Sequence, residues 1–116
     1  MNAAMSKLDL AFAALADPTR RRIVARLTRG ELRVTDLAQP FAMSLNAVSK
    51  HVKVLEGAGL VGRRREGREH YLRLRAAPLR EVARWTSQYE RFWSQRLDAL
   101  GAFLDQQQEN GDEGSQ

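Results

Sequence analysis

The apolar positions in the middle of the chain recur with the period of an α-helix. Val48, Val52 and Leu55 stand at i, i+4 and i+7 and predict one buried helix face. Ser44 is suited to cap the start of this helix at its first turn. Gly59 is suited to the left-handed position that ends it. Both ends of this central helix are therefore predicted from the sequence.

Three further helices are predicted before the central one. Ser6 is expected to cap the first, and Asp17, followed by Pro18 at the first helical position, is expected to cap the second. Thr35 is predicted to cap the third, which runs to Phe41. In a helix-turn-helix the third and central helices would form the paired unit, with the third supporting the other from behind.

After the central helix the pattern changes from helical to alternating. Residues 71–75 alternate apolar and charged side chains, and Glu66 and Gly67 provide a turn with a residue free to adopt positive φ. These features predict a two-stranded β-hairpin, or wing. The fold class expected from these patterns is mainly α, with about five helices and a small β-hairpin wing.

A long last helix is predicted to begin at Pro78, and its apolar residues fall within about 140° at about 100° per residue. The small winged domain cannot cover such a face, so a second subunit packed in a two-fold interface is expected to bury it, together with the first helix. The residues predicted at this homodimer interface are Leu8, Phe12, Trp85, Tyr89, Phe92, Trp93, Leu97 and Leu100. The alternative is a ligand pocket among the aromatic side chains of this stripe.

Composition indicates one domain, residues 1–105, followed by a polar tail, residues 106–116, that is expected to be disordered. The chain has no cysteine, which excludes a disulfide framework and thiolate metal sites. No signal peptide or membrane-spanning run is seen, so a cytoplasmic protein without a membrane partner is expected. Residues 18–80 hold 15 Lys and Arg against 5 Asp and Glu, the distribution of a polyanion-binding domain.

The central helix and the wing carry the candidate DNA-binding residues. The side of the helix opposite the buried stripe combines cations with short hydrogen-bonding side chains, which suits phosphates and base edges in a major groove. The candidates are Ser44, Leu45, Asn46, Ser49, Lys50, His51 and Lys53 on the helix, and Arg65 and Arg68 on the wing. The alternatives are a solvated helix face, and wing arginines that only protect an edge strand from aggregation.

The segment of residues 35–61 resembles the helix-turn-helix of the ArsR/SmtB family of bacterial transcriptional regulators. The family pattern S-x-x-x-V-S-x-H-x-x-V-L-x-x-A-G-L-V is present from Ser44 to Val61, and the similarity extends over residues 8–104. The resemblance implies a winged helix-turn-helix fold, in which this segment holds the recognition helix and its exit. Two departures are small: Ala42 occupies a position where the family often has Gly, and Gly57 lies in the last helical turn.

The resemblance implies a homodimeric regulator that binds an inverted-repeat operator in double-stranded DNA, and a repressor is expected. Cysteine ligands found in the third helix of metal-sensing members are missing from residues 34–38. Neither a metal site nor a cofactor is expected, whereas an unidentified small-molecule effector is left open. The alternative function is a winged-helix protein-interaction module without base-specific DNA binding.

Two further features of the sequence are consistent with more than one role. Ser49 and His51 cannot form a nucleophile and base pair, because two residues on a helix point about 200° apart, so an enzyme is the least favoured reading. His51 either packs or contacts phosphate. The run Arg20, Arg21, Arg22 either contacts DNA through one or two members or pairs within the helical surface.

Overall fold

The computed structural model describes residues 6–114, with side chains described to residue 110. Within residues 6–114, five helices and three short strands follow one another. The elements are α1 (Lys7–Leu15), α2 (Pro18–Leu27), β1 (Leu32–Arg33), α3 (Val34–Ala38), α4 (Leu45–Gly57), β2 (Val61–Glu66), β3 (Glu69–Leu74) and α5 (Ala76–Gly114). This order confirms the predicted winged helix-turn-helix of five helices.

The predicted caps of three helices are confirmed. The Ser6 hydroxyl accepts a hydrogen bond from the Asp9 N–H at 3.1 Å, and Asp17 Oδ1 accepts from the Arg20 N–H at 3.0 Å. At the start of α4, the Ser44 hydroxyl accepts from the Ala47 N–H at 3.1 Å. Each cap satisfies a first-turn N–H that has no partner within its own helix.

Two helix starts differ from the sequence prediction. α3 begins at Val34 after Arg33, and no side chain caps it, so the prediction of a Thr35 cap is wrong. The extended backbone of β1 leads directly into the first turn of α3, which leaves Thr35 inside the helix and exposed. α5 begins at Ala76, two residues before Pro78. Proline is tolerated there because the N–H groups of a first turn lack partners within the helix.

The wing contains a third strand that the sequence analysis does not predict. β2 and β3 pair antiparallel as the predicted hairpin, and β1 pairs with the other edge of β3, with Leu32 opposite Leu72 and Arg33 opposite Tyr71. The hairpin turns at Gly67, whose φ of 62° suits glycine. The sheet thereby connects the wing to the segment just before α3.

The core confirms the predicted inner face of α4. Val48, Val52 and Leu55 are fully buried, and the other buried apolar residues come from the remaining elements of the winged domain. Those residues are Ala11, Ala14, Ile23, Leu27, Leu37, Phe41, Leu60, Val61 and Leu72. The chain leaves α4 as predicted: Gly59 follows the last turn with φ 75°, and the Leu60 N–H donates to the Leu55 carbonyl at 3.0 Å.

Residues 83–114 form a second compact unit, which is the greater part of α5. Along it the apolar side chains are exposed, from 38% at Trp85 to 60% at Leu97. The helix continues to Gly114, whereas the sequence analysis predicts disorder from residue 106. Gln and Glu are good helix formers, so local propensity extends the helix although residues 105–110 are all exposed. The boundary between domain and tail stays a prediction.

Candidate nucleic-acid interface

The outer face of α4 presents most of the predicted helix residues to solvent. Asn46, Lys50 and Lys53 are exposed, Leu45 retains 49% of its accessible surface, and Ser49 is half-buried. Burial of the opposite face fixes the rotation of α4 about its axis, so this polar face points away from the core. The predicted cations and hydrogen-bonding groups therefore share one accessible surface.

His51 lies on the flank of α4 that touches α2. Its Nδ1 is 3.4 Å from Arg20 Nη1 and 4.0 Å from Asp17 Oδ1, and its side chain is only 25% exposed. The pKa of Asp17 lies below its ordinary value of 3.8, chiefly because the Arg20 N–H donates to the carboxylate and secondarily because His51 is near. These contacts favour the packing role of His51; its phosphate contact stays a prediction.

Four arginines on the wing fall into two pairs with different surroundings. Arg63 forms a two-point ion pair with Glu56 of α4, and Arg64 pairs with both Glu31 and Glu66. These carboxylates raise the pKa of both guanidinium groups above the ordinary value of 12.5. The charges of Arg63 and Arg64 are therefore largely committed to carboxylates within the domain.

Arg65 and Arg68 have no carboxylate partner among the residues that the structure describes. Both are exposed, and the Nε of Arg65 donates to the carbonyl of Gly67 at the hairpin turn, at 3.3 Å. Two unneutralised guanidinium groups near the tip of a wing have the chemistry needed to hold phosphates. The structure thus separates the two arginines predicted for DNA from the two that are engaged within the protein.

A cavity of about 260 Å³ brings the start of α4 and the wing together. Leu45 and Ser49 of α4 line it beside Arg68 of the wing, so predicted helix and wing residues adjoin one surface. The remaining lining residues are Val34, Thr35, Arg63, Glu69 and His70.

The arginine run in α2 makes contacts within the winged domain. Arg20 Nε donates to the carbonyl of Ala14 at 2.6 Å, and Arg21 Nη1 donates to that of Leu15 at 2.8 Å. These carbonyls end α1, which has no basic residue in its last turn to serve them. The guanidinium of Arg22 lies 4.6 Å from the ring centre of Phe41. The sequence signal for this arrangement is a helix without a basic residue in its last turn, followed closely by several arginines.

The described part of the chain also bears on two other classes of site. No group of three or more His, Cys, Asp or Glu side chains there is placed to hold a metal ion. Within residues 6–114, no helix is long and apolar enough to cross a membrane.

The fold and the exposed α4 face define a winged helix-turn-helix DNA-binding protein, and comparisons with known proteins agree. Residues 15–64 match the family model described as a helix-turn-helix domain, HTH_20. The chain is 40% identical over 97 residues to the HTH-type transcriptional regulator Rv2034 of Mycobacterium tuberculosis, covering 84% of this chain and 88% of that protein. It is 32% identical over 74 residues to the transcriptional repressor SdpR of Bacillus subtilis, covering 64% and 82%.

A solved structure gives the same result in three dimensions. The crystal structure of the ArsR family transcriptional regulator RHA00566 superposes with a TM-score of 0.70 at 36% identity, over 77% of this chain and 98% of that one. The chain belongs to the ArsR/SmtB family and is a DNA-binding transcriptional regulator. The resemblance drawn from residues 35–61 is confirmed.

Proposed function

We propose that this regulator is a homodimeric repressor that binds an inverted-repeat operator and blocks its promoter in the bacterial cytoplasm. The observation that supports the dimer is the apolar side of α5, where Trp93 is 53% exposed, Leu97 60% and Leu100 51%. Clusters of large exposed apolar side chains on one helix mark interaction surfaces. A second copy of the same helix is the occupant that a two-fold interface supplies.

The interface proposed for this dimer combines α5 with the outer side of α1. Leu10 of α1 is 38% exposed, and Leu8 and Phe12 are half-buried within the single chain. On α5 the proposed contributors are Trp85, Tyr89, Phe92, Trp93, Leu97 and Leu100. A two-fold dimer would present two copies of α4, spaced about 34 Å apart, to half-sites related by an inverted repeat.

The proposed roles at the DNA follow from exposure and chemistry. Asn46 and Ser49 would meet base edges in the major groove, while Ser44 and Leu45 would adjoin the backbone and bases at the start of the helix. Lys50 and Lys53 would neutralise phosphates flanking the groove. Arg65 and Arg68 would hold the backbone at the wing, since their charges are not neutralised by described carboxylates. The role proposed for the chain is binding, without catalysis.

Repression is proposed because a dimer on a promoter excludes polymerase from the same DNA. The test is selection of genomic fragments by the full chain, followed by footprinting and transcription from a selected promoter. We expect an inverted repeat to be enriched and the transcript to fall as protein is added. The matched variants are Lys50→Ala, on the proposed DNA face, and Arg80→Ala, an exposed cation on α5.

The outcomes of this experiment separate the candidate functions. Lys50→Ala should weaken retention of the selected fragment, whereas Arg80→Ala should leave it unchanged. Absence of any enriched sequence would favour the interaction module and contradict the proposal. An increase of transcript on binding would identify an activator. That result would contradict repression but not operator binding.

A further inference from the structure

A second cavity of the winged domain lies away from the outer face of α4. Its volume is about 380 Å³, and its wall is formed by Ala25, Arg26 and Arg29 around the end of α2 and by Leu32 of β1. This volume is at the lower end of the range of about 300–1,000 Å³ that small-molecule sites occupy. Two guanidinium groups and two apolar side chains thus line one opening.

The arginines at this cavity lack a carboxylate partner in the described chain. Arg26 and Arg29 form no ion pair there, and no acidic residue lines the opening. The nearest carboxylates in sequence are already paired elsewhere: Glu31 with Arg64 at 2.7 Å, and Asp36 with Arg33 at 2.9 Å. Two like charges facing one cavity without a counter-ion favour binding of an anion.

Arg26 has a hydrogen-bonding requirement that its neighbours leave unmet. Its Nη2 donates to the backbone carbonyl of Asp36 in α3 at 3.3 Å, whereas its Nε is buried and has no partner among the described residues. A buried donor without a partner costs free energy, which an oxyanion would recover once Arg26 turns towards the cavity. A carboxylate matches the planar fork of donors that arginine presents.

We propose that the cavity at Arg26 and Arg29 binds a small organic carboxylate, with Ala25 and Leu32 contacting its apolar part. Occupancy would act on DNA binding through Arg26, because the same guanidinium is bonded to α3. α3 is in contact with α4, and Leu37 of α3 is buried in the same core cluster as Val48 of α4. An anion that draws Arg26 towards the cavity therefore competes with its bond to Asp36 and shifts the support of the recognition helix.

The binding test uses the full chain with benzoate and acetate as probes and neutral benzamide as the matched control, at up to about 10 mM. Benzoate should raise the midpoint of thermal unfolding in a saturable manner, because a ligand that binds only the folded state stabilises it. Benzamide should not. In amide NMR spectra of the wild-type chain, benzoate should shift resonances of Ala25, Arg29, Leu32 and Asp36 first.

Variants at the cavity give the decisive comparison. Arg29 is exposed, so Arg29→Gln should fold and should weaken benzoate binding about tenfold by losing one charge-assisted contact. Arg26→Lys keeps the charge but loses the planar fork and should weaken binding as well, whereas Arg80→Gln should have no effect. No saturable response to either acid, an equal response to benzamide, or undiminished binding in Arg29→Gln would overturn the proposal.

The regulatory half of this inference rests on the proposed operator binding. If both hold, benzoate changes operator affinity in the wild-type chain and has no such effect in Arg29→Gln at the same concentration. If benzoate binds but leaves operator affinity unchanged, the coupling to DNA binding is overturned, whereas the binding site itself is supported. A chain that binds benzoate yet selects no DNA sequence would contradict the proposed function instead.

Discussion

The guanidinium of Arg63 on the wing faces the carboxylate of Glu56 in the last full turn of α4, with two parallel hydrogen bonds. Nη2 to Oε1 measures 2.7 Å, and Nε to Oε2 measures 3.1 Å. Both side chains are less than a third exposed. This geometry joins the two elements proposed to contact DNA, so the wing is held against the recognition helix by a directional pair rather than by the hairpin alone.

The first prediction is that Glu56 and Arg63 are energetically coupled. In a double-mutant cycle of Glu56→Ala and Arg63→Ala, the coupling in the free energy of unfolding should be about 0.5–1 kcal/mol, since the pair is two-point but partly solvated. Urea unfolding followed by circular dichroism measures it. The same cycle between Glu56 and Arg65, which form no ion pair in the structure, serves as the control and should give a value near zero. Equal coupling in both cycles would contradict the specific pair.

The second prediction separates base reading from phosphate contact. Asn46→Ala should weaken the selected operator more than random DNA, because amide contacts to base edges depend on sequence. Arg68→Ala should weaken both alike and reduce the slope of affinity against salt, by about one unit per lost phosphate contact. For the wild-type chain, affinity should fall by roughly 10³–10⁵ between about 50 and about 200 mM salt if about 6–10 phosphates are neutralised.

Fluorescence anisotropy on both DNAs across the salt series checks this second prediction. Arg80→Ala is the control for loss of a positive charge outside the proposed interface. Identical losses on operator and random DNA for Asn46→Ala would remove that residue from base reading, and an unchanged salt slope for Arg68→Ala would remove the wing arginine from the phosphates.

Local signals in the sequence were sufficient for α1, α2 and α4, because their caps and buried faces are specified by neighbouring residues. Ser44, Asp17 and the stripe of Val48, Val52 and Leu55 act within one or two turns, and all are found as predicted. β1 could not be predicted, since two residues make a strand only when Leu72 of a distant segment lies opposite Leu32. Pairing with β3 therefore decides whether β1 forms.

The division among the wing arginines shows the same limit. The sequence favours Arg65 and Arg68 as DNA contacts. It does not show that Arg64 forms an ion pair with Glu31, because the two residues are 33 positions apart. Arg20 and Arg21 are another case, because they serve carbonyls at the end of a preceding helix. Side chains that act across the fold carry no periodic signal, so candidate site residues are predicted less completely than helices.

The third prediction concerns acid unfolding. The pKa of the Asp17 carboxyl is lowered in the folded chain, first by the N–H of Arg20, so its stabilising effect is present above the ordinary value of 3.8. That effect is lost as pH falls through the lowered pKa. Asp17→Asn keeps a capping oxygen but has no such titration. Below about pH 4, the wild-type chain should therefore lose stability more steeply than Asp17→Asn.

The measurement is the midpoint of urea unfolding at a series of pH values from neutral to about pH 3. Asp105→Asn, at an exposed position of α5, serves as the control and should follow the wild-type curve. Parallel curves for the wild-type chain and Asp17→Asn would show that the capping carboxylate contributes nothing to the pH dependence.

The fourth prediction tests the dimer. Trp93→Arg places a charge in the apolar stripe of α5 and should lower both self-association and operator affinity, because each recognition helix would then bind alone. Gln95→Arg adds the same charge to the same helix at an exposed polar position and should alter neither. Sedimentation at micromolar concentration gives the oligomeric state. A folded wild-type monomer under those conditions would contradict the proposed interface.

The last prediction concerns the signal to which the regulator responds. Thiophilic ions and arsenite need thiolate ligands, and this chain has no cysteine. Zinc needs clustered His, Cys or carboxylate ligands. His51 of α4 lies beside Arg20 and Asp17, and His70 of the wing lies beside Arg63. Neither histidine belongs to a group of three or more metal-binding side chains within the described residues. The complex with DNA should therefore survive zinc, cadmium, arsenite and mild oxidants.

The measurement is a titration of the protein bound to labelled operator with each ion, after chelator treatment and without any affinity tag. A metal-sensing relative on its own operator provides the positive control and should be released at the same ion concentrations. Hard ions such as Ca²⁺ are titrated separately, because Glu81, Glu90 and Asp98 could still bind one weakly through oxygen. Reversible release by one equivalent of any thiophilic ion would contradict the prediction, because it would require ligands that this sequence does not contain.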